Sequence, residues 1–215
     1  RLLKESRFDR AWLASLEHQL AEQAIAIFAA RNETTLRLNQ AMLDEEEKSA
    51  TRQNAAFPKA HMSVIGEFED MMEGLSALAA EDLYREKLEK RRPLDARAGS
   101  TTYGPHRADL SVFHREKEQK AALCSTGEQK ALLISIILAD ARLQAGLQGK
   151  APVLLLDEIT AHLDQKRRMA LFDEIAALKM QAWMTGTDKL LFSELEERAQ
   201  FFAVEAGRVT PADIC

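Results

Sequence analysis

The 215-residue chain lacks several features that would assign it a class at once. No apolar run approaches the roughly 20 residues that a membrane-spanning helix needs. A charged content of 29% and a mean hydropathy of -0.29 place it among chains that fold in water. The chain begins Arg-Leu-Leu-Lys, with no initiator methionine and no signal-peptide layout. Cys124 and Cys215 stand far apart and lack metal-ligand spacing, so a reduced, cytoplasmic compartment is expected. The net charge of -5 speaks against a large constitutive nucleic-acid surface. A local one is compatible with it: Arg85, Lys87, Lys90, Arg91, Arg92 and Arg97 crowd one short region, which reads either as a basic patch or as a solvated helix face. The acidic run 44–47 reads as solvent-facing helix surface. There is no internal repeat and no low-complexity segment.

A phosphate-binding loop is also missing. Such a loop needs Gly-x4-Gly-Lys-Ser/Thr, so that backbone N–H groups wrap the phosphates and a hydroxyl reaches Mg2+. Of the nine glycines only Gly149 precedes a lysine. The stretch GLQGKA, Gly146 to Ala151, has two residues between its glycines, alanine after Lys150, and a position before a strand rather than after one.

What is present begins with helix. Residues 8–54 hold neither proline nor glycine, and Trp12, Leu13, Leu16, Leu20, Ala24 and Phe28 recur at helical spacing. Asn32 is read as a break, with a second helix carrying Leu36, Leu38, Met42 and Leu43 and folding back as a hairpin. A short strand is expected over 61–68, a helix over 77–90 closed by Arg92-Pro93, and a turn into a strand over RAGSTTYGPHRADLSVFHRE, Arg97 to Glu116. From Ser125 onward helix and strand alternate, as in an α/β layer: a long apolar helix, a strand at 153–156, a helix at 165–178, a strand near 181–185, a helix near 188–198, and a strand pair around Gly207. The expected boundary lies near residue 98, dividing a helical part, 1–98, from an α/β part, 99–215.

The chemistry concentrates in VLLLDEITAHLD, Val153 to Asp164. A buried apolar strand that delivers carboxylates at its C-terminal end is the usual layout of an α/β active site. Asp157 is suited to Mg2+, a hard cation that takes carboxylate and water oxygens. Glu158, pointing to the other side of the strand end, can polarise an attacking water; phosphoanhydride hydrolysis needs that division of labour. By themselves the two acids could equally cap a helix. The stretch CSTGEQK, Cys124 to Lys130, offers backbone N–H groups and hydroxyls to an anion at a helix N-terminus, or simply a capping box of Ser125 with Glu128.

In the order STGEQK, VLLLDEITAHLD and MTGTD, the chain resembles the second half of an ABC-type ATPase head, and more narrowly the RecF family, related to SMC heads. The turn YGPHRADL, Tyr103 to Leu110, and the opening AWLASLEHQLAEQAIAIFAAR are similar to that family too, so the resemblance covers nearly the whole chain. It implies an α/β fold: a partial ABC-type ATPase head, a P-loop NTPase-like layer, with a mainly α-helical second domain, 1–98 being the helical insert. It implies that Asp157 is the metal-site acid and Glu158 the catalytic base. Ser125, Thr126, Gly127 and Glu128 would form the signature loop that contacts a γ-phosphate held by the opposing subunit. Asp164 would be the acid that crosses the dimer interface. Thr187, with Thr185 as second choice, stands where many relatives carry a switch histidine. The signature departs from the common pattern at Cys124, where leucine is usual, and at Thr126, where glycine is usual. His106 and His162 are read as structural or interface residues.

The cofactors implied are ATP and Mg2+. The partners implied are DNA at gapped, single-strand/duplex junctions, mediator proteins of the RecO/RecR type and, on ATP binding, a second copy, with no membrane. The parent protein is expected to be a weak DNA-dependent ATPase that helps load a recombinase. The phosphate loop would precede Arg1, and this chain alone would be inactive. The alternatives are another ABC-type subunit, clamp or transporter, and a catalytically silent interaction module; a helical region of roughly 90 residues and the GPHR turn speak against the transporter.

Overall fold

The structure, a computed structural model, describes residues 10–50, 56–195 and 198–212. The chain divides into two units that interleave in sequence, one of residues 1–39 and 61–112, the other of residues 40–60 and 113–215.

Helix α1 runs unbroken over Arg10–Ala50, 41 residues, where a hairpin with a break at Asn32 was expected. Asparagine inside a helix costs only about 0.5 kcal/mol relative to alanine. Asn32 is solvent-exposed and needs no buried partner. Around it Thr34 and Thr35 donate their hydroxyls to the carbonyls of Ala30 and Arg31, and Arg37 pairs with Glu33. Without proline or glycine nothing compels the chain to turn. The buried stripe, Leu13, Ala21, Ala24 and Ile25, is rotated from the expected one, leaving Trp12 and Leu20 about half exposed.

In the first unit Ala21, Ala24 and Ile25 pack with Phe68, Met72, Ala80, Tyr84, Leu88 and Tyr103. Phe68 belongs to the short α2, Glu67–Met72, which follows strand β1, Ala60–Ile65. Its ring meets Tyr84 and Tyr103 edge-on at 4.9 and 5.9 Å, geometries that add about 0.5–1.5 kcal/mol each to the burial. Helix α3, Ala77–Ala98, starts on Ser76, whose hydroxyl accepts from Ala79 N, and ends at the left-handed Gly99. It passes through Pro93, where the sequence reading closed it. Proline removes one ladder bond. Tertiary contacts hold the last turns in compensation: Arg92 clasps Glu17 through two bonds of 2.7 and 2.6 Å, and the buried Asp95 carboxylate accepts from the N–H and hydroxyl of Thr102. Beyond it Gly104 lies at φ 143, and a Cβ there would fall 2.3 Å from the Tyr84 hydroxyl, which donates to Tyr103 O. That close approach is why the YGPHR turn needs its glycine.

Strands β2, Asp109–His114, and β3, Gln119–Lys120, pair antiparallel with Phe113 opposite Lys120, in a three-stranded sheet of order β1-β2-β3. In the second unit helix α4, Thr126–Gln148, leads to β4, Leu154–Leu156; α5, Gln165–Ala177, leads to β5, Ala182–Met184. β4 and β5 are parallel, Leu155 opposite Trp183. The stretch after β5 is a 3-10 turn, Lys189–Leu195, and the chain continues into a hairpin of β6, Phe202–Glu205, and β7, Arg208–Pro211. The core joins Ile134, Leu138 and Ala141 of α4, Leu171, Phe172 and Ile175 of α5, and Leu154 and Leu156 of β4. Burying each of the two leucines is worth about 1.5–3 kcal/mol. The strand, expected to be buried, is covered on one face: Leu155 is 78% exposed and Val153 55%. The period-2 alternation of a strand gives α4 and α5 one face only. The α/β layer with a helical part, expected from the sequence, is what the chain forms.

Candidate functional site

Each proposed site residue sits where one element ends and the next begins. β4 is three residues long, so Asp157 and Glu158 follow directly at its C-terminal edge, both exposed. Glu158 turns sharply, with φ 50 and ψ 26, into a 3-10 turn over Ile159–His162. A non-glycine residue in the left-handed region is disfavoured by about 1–2 kcal/mol, so something must hold it there. Thr185, the residue after β5, does so. Its N–H donates to Leu156 O at 3.0 Å, extending the parallel ladder past β5. Its hydroxyl accepts from Glu158 N at 3.0 Å and donates to Asp157 Oδ1. Thr187, two residues on, is exposed, and its side chain has no hydrogen-bond partner among the described residues.

The second group lies at the start of α4. Ser125 is the N-cap, and the Glu128 carboxylate reaches back to accept from its N–H at 2.9 Å and its hydroxyl at 2.8 Å. Lys117, in the turn between β2 and β3, donates to the other Glu128 oxygen. Lys117 first, then the Ser125 hydroxyl and N–H, hold the Glu128 carboxyl down at about 2, while the carboxylate raises the Lys117 ammonium. Nothing in the fold demands the neighbouring Gly127: its φ lies outside the left-handed region, and a Cβ there would meet open space. Glycine near a helix start costs up to about 1 kcal/mol against alanine. Cys124 is buried, its sulfur accepting from Gln119 Nε2 and donating to Lys120 O. A small thiol thus ties the loop to β3.

Asp164 is the N-cap of α5, accepting from Arg167 N at 2.8 Å. The acid pair, the Ser125 loop and Asp164 all belong to the second unit, and among the described residues no hydrogen bond links one group to another. His106 Nε2 sits 2.9 Å from Thr101 O within the turn of the first unit. The His162 side chain and Cys215 lie outside what the structure describes. Two contributors were missed or ranked second in the sequence: Lys117, eleven residues from its partner, and Thr185, 28 residues from Asp157. No local pattern announces either pairing.

Among the described residues no group of three or more His, Cys, Asp and Glu side chains is placed to hold a metal ion. Asp157 offers carboxylate oxygens beside the Thr185 hydroxyl, a set too small for a caged ion. It fits Mg2+, which takes one or two carboxylates and fills its remaining positions with water and phosphate oxygens. No helix among the described residues is long and apolar enough to cross a membrane.

No family model matches the chain. It is 52% identical over 210 residues to the DNA replication and repair protein RecF of Rhizobium rhizogenes strain K84, covering 98% of this chain and 54% of that protein. It is 50% identical over 210 residues to the DNA replication and repair protein RecF of Agrobacterium fabrum strain C58, with the same coverage. The chain spans about half the length of the curated relatives it matches. Its fold is similar to that of the recombination mediator protein RecF-ATPrS in the RecFOR pathway, with a TM-score of 0.73 at 23% identity, covering 98% of this chain and 54% of that one. A second solved structure, RecF-ATP in the same pathway, gives a TM-score of 0.71 at 21% identity.

Proposed function

From a chain that is RecF-like along almost its whole length, we propose that it supplies one side of an ATP-dependent switch in DNA replication and repair. The observation that carries this reading is the acid pair at the C-terminal edge of a parallel strand, in the same unit as an open, glycine-bearing helix start. Asp157 is the residue that would hold Mg2+, which supplies charge neutralisation at the phosphates when bound. Glu158 orients the attacking water and takes its proton. Thr126 and Gly127 present a hydroxyl and N–H groups, at the positive end of α4, to a γ-phosphate presented by the opposing copy. Ser125, whose N–H and hydroxyl donate to Glu128 in this structure, joins them by exchanging that carboxylate for the phosphate, and Glu128 shapes the loop until then. Asp164 reaches the partner, and Thr187 stands at the switch position. Residues 1–98 serve as the helical insert and 99–215 as part of the head. Because these bonds exist only between closed copies, nucleotide shifts the population towards a closed dimer on gapped DNA, from which RecO/RecR-type mediators and a recombinase are served. Hydrolysis reopens it.

The test uses the protein extended to include a phosphate loop. Glu158→Gln is expected to trap an ATP-bound dimer by light scattering and to abolish turnover; unchanged turnover refutes the role of Glu158. DNA is expected to stimulate the unmodified protein, and absence of stimulation favours another ABC-type system. The 215-residue chain alone is expected to show no turnover, for lack of the loop, and robust ATPase activity from it would sink the reading.

A further inference from the structure

The geometry points to Thr185 as a positioning residue that sets both acids of the pair at once; this rests on the ATPase reading above. A hydroxyl has one proton to give and lone pairs to receive with. Thr185 gives its proton to Asp157 Oδ1 and receives the N–H of Glu158. Its own N–H is fixed on Leu156 O, so the parallel register of β4 with β5 determines where that hydroxyl stands. Through one atom the ladder therefore orients the Asp157 carboxylate and braces the backbone of Glu158.

Glu158 is where bracing matters. At φ 50 it occupies a conformation its side chain disfavours, and its N–H would otherwise lack this partner. Relaxation towards an ordinary φ would swing the Glu158 carboxylate away from its direction. Removing the hydroxyl also frees Asp157 from the one hydrogen bond its side chain makes among the described residues. Thr187 shares neither contact, although its place in the stretch MTGTD is as conspicuous as that of Thr185. The hydroxyl touches no reacting atom in this arrangement and acts only through the two acids.

The test compares Thr185→Val, which keeps the shape and loses the hydroxyl, with Thr185→Ser, which keeps the hydroxyl. In the 215-residue chain, amide hydrogen exchange at Glu158 is expected to quicken about tenfold or more in T185V and to stay near the parent rate in T185S, with the β5 amides of Ala182–Met184 unchanged. If T185V quickens all of β5, Thr185→Ala and T185S decide whether the loss follows the hydroxyl or the fold. Unchanged exchange at Glu158 in both hydroxyl-free variants overturns the proposal. In the protein extended with a phosphate loop, T185V is expected to raise the Mg2+ concentration for half-maximal turnover about tenfold and T185S less than about twofold. Asp157→Asn separates the two readings. If D157N shifts the Mg2+ dependence and T185V does not, Thr185 has no positioning role. If D157N leaves it untouched, the nucleotide reading falls and the role of Thr185 in it falls too.

Discussion

Glu128 shows how much one side chain can be asked to do at an exposed helix start. It answers the Ser125 N–H and hydroxyl and also holds Lys117, so its charge is wanted by three donors at once. The carboxyl is lowered from the ordinary 4.5 to about 2, which means that folding favours the ionised form. A depressed carboxyl contributes stability that is fully present above the unfolded value and is lost as pH falls through the folded one. The cap of α4 is therefore expected to hold at pH 5 and to loosen between about 4.5 and 2. A carbon-13 titration of the Glu128 carboxyl checks this: a midpoint near 2 is expected, moving back towards 4.5 in Lys117→Met, and a parent midpoint near 4.5 would contradict it. The capping box itself is readable as Ser-x-x-Glu. Lys117 is not, because it reaches Glu128 only once the β2–β3 turn has formed.

At the scale of elements, Asp164 has a structural duty separable from any role at an interface. As N-cap of α5 it satisfies Arg167 N, a contact worth about 1 kcal/mol at such positions. Asparagine caps as well as aspartate, alanine does not. Asp164→Ala is expected to lower stability by about 1 kcal/mol in urea denaturation, while Asp164→Asn stays within about 0.5 kcal/mol. If Asp164 also serves a dimer, D164N alone will weaken association without the stability loss; equal stability loss in both variants would contradict the cap. Other elements explain what the sequence concealed. Residues 165–178 and 181–185 and the strand pair around Gly207 read correctly as helix, strand and hairpin because local period and turn residues agree with the fold. α1 ran past Asn32 because an exposed asparagine costs a helix little, and α3 past Pro93 because long-range pairings such as Arg92 with Glu17 outweigh a local breaker. The exposure of Leu155 is likewise a matter of what covers the sheet, which a run of leucines does not reveal.

For the molecule as a whole, the two units carry different reporters. The chain's two tyrosines, Tyr84 and Tyr103, both lie in the first unit, packed against Phe68. Burial first, then the Asp95 carboxylate for Tyr84 and that of Glu67 for Tyr103, pushes each phenol from 10.0 up to about 12. A raised phenol favours the neutral form in the fold, so the stability it adds is full below pH 10 and disappears as pH rises through about 12. Phenolate absorbance is expected to stay flat at pH 11 and to rise near 12 together with loss of the first unit's helical signal. Titration of either tyrosine near pH 10 in folded protein would refute that packing.

The amino-acid order determined the alternation of helix and strand after Ser125, the acid pair at the end of a leucine strand, the cap of α4 and the absence of a phosphate loop. Each is written in neighbouring residues, where period, capping and spacing act over a few positions. Tertiary structure alone decided that Thr185 rather than Thr187 meets Asp157 and Glu158, that Lys117 meets Glu128, and that Gly104 must yield to the Tyr84 hydroxyl. These depend on strand register and on helices crossing, which bring distant residues within bonding distance only after the core has formed.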